Sequence, residues 1–205
     1  MITDDIHREA LKKVVKQFRR RGIELLCIGS TAQLILTGKT RGMTKDIDVY
    51  PLEIERIQQN EFLKVLEEIA KILNGDFRVE QSGFTLIFTH KDNDIEVDII
   101  FGFEKLQLTD DVVRYRKRID DFQVPEFEFL IMMKLLGYLD NKGRIEIKEE
   151  EYLEDCRIIS SFLKTNGISL NYEKMEVMVD WGHEKRGYPK EVLWEEIYGL
   201  FGENF

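Results

Sequence analysis

The segment Asp46-Ile47-Asp48-Val49-Tyr50 alternates polar and apolar side chains and runs directly into Pro51. Successive side chains of a β-strand point to opposite faces, so this alternation predicts a strand with both aspartates on one face. Ile47 and Val49 then face the core. The segment restricts the fold strongly, because it requires a sheet with an apolar layer on one side and paired carboxylates on the other.

A buried strand followed by a tight turn and a helix is predicted just upstream. Residues 23–28 are apolar apart from Glu24, and Gly29-Ser30 ends this run. Residues 31–36 then continue in a pattern typical of a helix.

Apolar spacing predicts further elements. Helices are expected over 6–18 and 57–73, and strands over 84–89 and 95–101 with a turn at 91–94. The last strand places Glu96 and Asp98 on one face. Beyond Pro125 the pattern turns helical, with an apolar stretch over 129–139 and a helix over 149–163.

These elements predict an α+β protein, in which a small mixed sheet with helices is followed by a helical region. We expect the boundary near Pro125, giving a catalytic core over 1–124 and a helical C-terminal region over 125–205.

Composition narrows the classes of function. The chain has 205 residues with a net charge of −9, which argues against general coating of nucleic acids or acidic membranes. Cys27 and Cys156 each lie in an apolar run, which indicates buried free thiols in a reducing, cytoplasmic setting. The longest apolar stretch, Phe129 to Leu139, is too short to span a bilayer, so no membrane association is expected.

Three carboxylates are the candidate catalytic and metal-binding residues: Asp46, Asp48 and Asp98. An Asp-x-Asp pair alone is a weak signal, and Asp92-Asn93-Asp94 is a second copy that fits a turn. Two such charges about 4 Å apart repel by roughly 4 kcal/mol at an effective dielectric of 20, so a cluster needs a cation. Oxygen ligands favour Mg²⁺ or Mn²⁺, whose usual companion is a substrate phosphate. The predicted substrate is therefore a nucleoside triphosphate, with Asp98 also placed to accept a proton.

Candidate phosphate-binding residues lie outside the carboxylate strands. Gly29 and Ser30 form a turn at a helix start, where backbone N–H groups can approach phosphates. Lys134 is the lone charge within 129–139, so it reaches the surface, pairs with an acid such as Asp155, or contacts phosphates. The two basic residues that precede the first aspartate, Arg41 and Lys45, either contact phosphates or neutralise the carboxylates.

Together, Gly29-Ser30, Thr44-Lys45-Asp46-Ile47-Asp48-Val49 and Ile95-Glu96-Val97-Asp98-Ile99 resemble the nucleotidyltransferase fold of the DNA polymerase β superfamily. The resemblance covers roughly residues 23–101. Arg41 upstream of the aspartates and the Pro-led helix with Lys134 are most similar to the AbiEii-like branch, which includes toxins of toxin–antitoxin pairs. The resemblance implies Mg²⁺-dependent transfer of a nucleoside monophosphate, with Asp46, Asp48 and Asp98 as metal ligands and Lys134 on the triphosphate.

Two hypotheses of function follow. In the first, the chain is a nucleotidyltransferase whose acceptor hydroxyl belongs to an RNA end such as tRNA, a protein or a small molecule. In the alternative, it is a catalytically silent protein of a toxin–antitoxin-like system that binds nucleotide or an antitoxin-like partner. Retention of all three aspartates favours the enzyme.

Two surface features remain open at this level. The basic cluster over 114–118 fits a solvated hairpin better than a guide for RNA, because aspartates flank it on both sides. The aromatic residues near the C-terminus are favoured as core over a docking face for a partner; these are Trp181, Trp194, Tyr198 and Phe201.

Overall fold

The computed structural model describes residues 5–41, 46–52, 59–101 and 113–205, without the side chains of 5, 6, 59 and 203. These residues form two compact units. The first contains residues 5–38, 46–52, 59–101 and 118–124, and the second contains 39–41, 113–117 and 125–205. The predicted α+β fold class is confirmed, since a mixed sheet with helices is accompanied by a helical region.

The first unit is built on a seven-stranded mixed sheet, whose last hairpin leads into the second unit. Its elements in chain order are α1 Asp5–Arg19, β1 Leu25–Cys27, α2 Gly29–Thr37, β2 Asp46–Pro51, α3 Gln59–Leu73, β3 Phe77–Ser82, β4 Thr85–His90, β5 Glu96–Ile100, β6 Arg116–Ile119 and β7 Phe122–Pro125.

The strand order is β3-β4-β5-β2-β1-β7-β6. Strand β2 is parallel to β5 and antiparallel to β1, while β1 is parallel to β7. The two strands that carry the predicted carboxylates are therefore direct neighbours, although Asp98 lies 50 residues after Asp48 in the chain.

Alternating burial along β2 and β5 produces the core of this unit. Ile47 and Val49 on β2 and Val97 and Ile99 on β5 are buried, as the alternation predicts. Helix α1 buries a continuous apolar stripe and packs against β1, β5 and α3. The carboxylates lie at the intervening positions of the strands and so face away from this packed layer.

Strand β3 is an element that the sequence pattern misses. It pairs with β4 over its whole length, from Phe77 opposite His90 to Ser82 opposite Thr85. Only Phe77 is fully buried, and most of the strand is exposed because it forms the sheet edge. A strand with one buried residue has no apolar alternation to detect.

The hairpin predicted for the basic cluster over 114–118 is confirmed by β6 and β7, which are neighbours in the sheet.

The described residues of the second unit form four helices, which are α4 Phe127–Asn141, α5 Glu146–Asn166, α6 Tyr172–Arg186 and α7 Lys190–Phe201, followed by a short 3₁₀ turn at Gly202–Asn204. Helix α4 packs against α5 and α6, and most of its residues are buried. Gly137 allows the close α4–α5 approach, since a Cβ there would lie 2.5 Å from the Tyr152 ring. Trp181 and Phe201 are core residues, as expected, but Tyr198 is half exposed.

Both cysteines are buried and free, which confirms the sequence prediction. Burial raises the pKa of the Cys27 thiol to about 12, and the pKa of Cys156 likewise to about 12. Both thiols are thus protonated and unreactive, while the reducing compartment stays a prediction. Within the described ranges, every helix is too short or too polar to cross a bilayer.

Candidate active site

Asp48 and Asp98 occupy the same register position on two neighbouring parallel strands. In the ladder of β2 and β5, Asp48 pairs with Asp98, just as Ile47 pairs with Val97 and Val49 with Ile99. Residues in register across a sheet point to the same face. The strand pairing therefore brings together two of the carboxylates that the sequence singles out, and it places both on the face opposite the buried Val97 layer.

A second pair of acids precedes the first on the same face. Asp46 lies in register with Glu96, two residues before Asp48 and Asp98. Asp46 is exposed, whereas the other three acids are half-buried. This face of the sheet thus carries four carboxylates in two cross-strand pairs. The Asp48–Asp98 pair is half-buried, whereas Asp46 of the other pair is exposed.

The Asp98 carboxyl group is under electrostatic strain. Its Oδ1 atom is buried and has no hydrogen-bond partner among the described residues. Burial, followed by the charges of Asp48, Asp46 and Glu96, raises the pKa of Asp98 to about 6. A carboxylate that is desolvated and surrounded by like charges is stabilised by any cation placed beside it.

Helix α2 begins against the Asp48 side chain. Gly29 has φ +61°, and a Cβ at this position would lie 2.9 Å from the Asp48 Oδ2 atom. The Ile28 N–H donates to the Asp48 backbone carbonyl at 3.0 Å, which fixes the turn to β2. Because the N-cap residue Ile28 has no side-chain oxygen, it cannot cap the N–H groups of the first helical turn. Gly29 and Ser30 therefore bring a helix N-terminus to the carboxylates, as a phosphate site requires.

These residues fit a divalent cation that is shared with a substrate. Within residues 5–41, 46–52, 59–101 and 113–205, no three His, Cys, Asp or Glu side chains are gathered as a complete metal site. Mg²⁺ usually takes only one or two protein carboxylates and completes its shell with water and substrate phosphates. The Asp48–Asp98 pair, with its unsatisfied Oδ1 atom and raised pKa, meets that requirement.

The second unit contains a separate cluster of charges around Asp155. This residue is fully buried, and its Oδ2 atom accepts a hydrogen bond from the Lys134 Nζ at 2.7 Å. The Arg41 Nε lies 3.4 Å from Asp155 Oδ1, an ion pair without hydrogen-bond geometry, and the Arg41 Nη1 lies 2.9 Å from Glu151. Of the three alternatives for Lys134, pairing with an acid is the one observed.

The cluster also shows what sequence reasoning missed. Glu151 is not among the site residues that the sequence predicts, although Glu151 and Asp155 are four residues apart on α5 and so share one helical face. That spacing was the available signal. Lys45 and the preceding Thr44 lie outside the described residues.

The chain is similar to known proteins in sequence and in fold. Residues 7–188 match the protein family described as "Nucleotidyl transferase of unknown function (DUF2204)". No curated protein sequence matches the chain.

Two solved structures are similar in fold. An antigenic nucleotidyltransferase-like protein from Paracoccidioides brasiliensis is 13% identical, with a TM-score of 0.59 over 97% of this chain and 93% of that one. ANT(2")-Ia in complex with adenylyl-2"-tobramycin is 15% identical, with a TM-score of 0.52 over 86% of this chain and 97% of that one. The family match extends over most of the sequence, from the first helix to the end of α6, and the chain belongs to this nucleotidyl transferase family.

Proposed function

We propose that this chain transfers a nucleoside monophosphate from a nucleoside triphosphate to an acceptor hydroxyl, and that Asp48, Asp98 and Asp46 hold the Mg²⁺ or Mn²⁺ needed for it. The observation that carries the proposal is the register of β2 and β5, which pairs Asp48 with Asp98 beside the N-terminus of α2. The family match supports the class of reaction.

The proposed chemistry is an in-line displacement. The acceptor oxygen forms a bond to the α-phosphorus, the bond from that phosphorus to the bridging oxygen breaks, and pyrophosphate leaves. A bound divalent cation supplies charge neutralisation on the phosphates and makes the acceptor hydroxyl more acidic. Asp98 takes the hydroxyl proton. The place of Asp98 opposite Asp48 on the same sheet face suits this role, because a general base must lie within reach of the proton that it takes.

The turn into α2 is the proposed site for the triphosphate. Gly29 lets the backbone approach, and the N–H groups at the helix start donate to phosphate oxygens. Ser30 adds a hydroxyl donor in the first turn. A side chain at position 29 would fill the space next to the Asp48 carboxylate, which supports the idea that this space is kept for substrate.

The proposed role of Lys134 rests on the resemblance, and those of Arg41 and Lys45 rest on their place just before Asp46 in the sequence. Arg41, Lys45 and Lys134 are proposed to contact the triphosphate. Asp155 is proposed as a positioning residue, because it pairs with both Lys134 and Arg41. Loss of Lys134 should then raise the KM for nucleotide more than it lowers kcat.

The acceptor and any partner also belong to the proposal. An RNA end such as tRNA, a protein hydroxyl and a small alcohol are all candidate acceptors. The adenylylated tobramycin bound to ANT(2")-Ia is a small-molecule product on a similar fold, which supports testing small alcohols as acceptors. Membership of the AbiEii-like branch, with an antitoxin-like partner, is proposed on Arg41 and Lys134 alone.

The experiment is a screen with α-³²P-labelled nucleoside triphosphates in Mn²⁺ or Mg²⁺ against tRNA, proteins and small alcohols. We expect label to appear in one acceptor class with the wild type and with Asp92→Asn, which removes an exposed turn carboxylate. Asp48→Asn should transfer none. Nucleotide binding without transfer to any acceptor would favour the catalytically silent alternative, and equal transfer by Asp48→Asn would refute the assigned site.

A further inference from the structure

Four aromatic rings stack on the surface of the second unit. Tyr172 on α6 lies 5.0 Å from Trp194 on α7, measured between ring centroids, and Trp194 lies 5.5 Å from Tyr198. Phe205 contacts both Trp194 and Tyr198, at 6.2 and 5.4 Å. We call these four residues the aromatic face.

The aromatic face is open to solvent. Tyr172 is 52% exposed, Tyr198 is 49% exposed and Phe205 is 38% exposed, while Trp194 is half-buried beneath them. Single exposed apolar residues are ordinary on protein surfaces, but a contiguous stack of large rings marks a contact surface. Aromatic side chains are also enriched among the residues that dominate binding energy at interfaces.

The charge beside these rings is negative. Glu191 precedes Trp194 by three residues and Glu195 precedes Tyr198 by three, so each is a neighbour of a ring on α7. Both glutamates are exposed, and neither forms an ion pair with a described residue. The nearest cation in sequence, Lys190, is bound to Asp180 at 2.6 Å.

The chain's own cations do not cover the aromatic face. Six cation–ring contacts occur among the described residues, and they use five other rings, such as Tyr115 under Lys174 and Tyr152 under Lys134. Stacked electron-rich rings next to unpaired carboxylates form a surface that is complementary to guanidinium groups, which stack on the rings and pair with the acids.

We propose that the aromatic face docks an arginine-bearing segment of a partner protein. The aromatic face is a row of stacked and exposed rings, and such a row suits an extended chain better than an enclosed small ligand. Arginine rather than lysine is specified, because the planar guanidinium both stacks on a ring and pairs with a carboxylate. This inference does not depend on the proposed transferase activity.

The test is fluorescence anisotropy with a labelled peptide of alternating Arg and Gly, using alternating Lys and Gly, and Glu and Gly, as matched probes. We expect the Arg peptide to bind more tightly than the Lys peptide and the Glu peptide not to bind. The double variant Tyr172→Ala/Tyr198→Ala should weaken Arg-peptide binding by about tenfold or more, as should Glu191→Gln/Glu195→Gln. Ile147→Ala, a change at a 75% exposed apolar residue of α5, is the control and should leave binding unchanged.

Three results of the peptide titration would overturn the proposal. They are no binding of the Arg peptide, equal binding of the Arg and Lys peptides, and binding that both double variants leave intact. Light scattering in parallel tests a second copy of this chain as the occupant. A dimer that Tyr172→Ala/Tyr198→Ala dissociates would show self-association there and refute the foreign segment. Circular dichroism of each variant confirms that the helices remain folded.

Discussion

Asp48 lies directly opposite Asp98 on two parallel strands, and the two carboxylates share one face of the sheet. Such a pair is unfavourable in the absence of a counter-ion, because the two like charges repel each other. Burial, and after it the charge of Asp48, raises the pKa of Asp98 to about 6. A fold that keeps a destabilising pair beside a helix N-terminus is organised for a function other than stability.

Replacing Asp98 should lower the transfer activity without lowering the stability of the protein. Asp98→Asn is expected to lower the transfer rate by roughly 10²- to 10⁴-fold, because the proton acceptor is lost. The melting temperature in EDTA at pH 7.5 should stay the same or rise, because the repulsion from Asp48 and Asp46 is removed. Label transfer and calorimetry measure the two effects. Asp92→Asn should change neither, and a marked fall in melting temperature with Asp98→Asn would contradict the assigned repulsion.

The same pair predicts a pH dependence of stability. The folded protein holds the Asp98 proton up to about pH 6, whereas the ordinary pKa of an aspartate carboxyl group is 3.8. The native state therefore binds more protons between these pH values, so the stability contribution of Asp98 falls as pH rises through this window. Relative to Asp98→Asn, the wild type should lose melting temperature from pH 4 to 6 in EDTA and change little above pH 7.

Added Mn²⁺ should offset that loss at pH 7.5 and have less effect at pH 5, where Asp98 is protonated. The measurement is thermal unfolding of both proteins with Mn²⁺ and with EDTA. A difference between wild type and Asp98→Asn that does not vary with pH would show that the Asp98 pKa is not raised.

Gly29 offers a test of the space beside Asp48. Gly29→Ala is expected to lower the free energy of unfolding by about 1–2 kcal/mol through its left-handed backbone, and further through the 2.9 Å approach to Asp48 Oδ2. Gly22→Ala is the matched control, because Gly22 has φ +73° and nothing within 4 Å of the added Cβ. Chemical denaturation of both variants gives the difference. Equal destabilisation would show that the space beside Asp48 is not restricted.

The buried Lys134–Asp155 pair predicts that removing one partner destabilises the protein more than removing both. Lys134→Met leaves Asp155 fully buried without its 2.7 Å partner and should cost about 3–5 kcal/mol. The double variant Lys134→Met/Asp155→Leu should recover part of this loss, since no uncompensated charge remains. Arg157→Ala removes an exposed pair with Glu150 and should change the stability far less than Lys134→Met does, because solvent screens exposed ion pairs. A double variant as unstable as the sum of its singles would contradict coupling of the pair.

The sequence predicts those parts of the fold whose burial alternates clearly. The strand at Asp46 could be identified because Ile47 and Val49 are buried while Asp48 is not, and the strand at Asp98 because Val97 and Ile99 are buried. Strand β3 could not be identified, because its pairing with β4 supplies most of its stabilisation and leaves only Phe77 fully buried.

The sequence predicts which carboxylates form the candidate site, but it does not predict which strands pair to bring them together. Alternation places Asp98 on a face of its strand, whereas the choice of β2 as its neighbour is made by the sheet topology. The sequence leaves the pairing of Lys134 with Asp155 as one of three alternatives, and it does not predict Arg41 as a partner of Asp155. Arg41 and Lys134 lie far from Asp155 along the chain, and the packing of the second unit brings them together.

The most direct test of the central claim is electron paramagnetic resonance of free Mn²⁺ titrated with protein at pH 7.5. The account predicts that the wild type and Asp92→Asn reduce the free Mn²⁺ signal, and that the double variant Asp48→Asn/Asp98→Asn leaves it unchanged. Equal loss of signal with the double variant and the wild type would place the ion elsewhere and contradict the account.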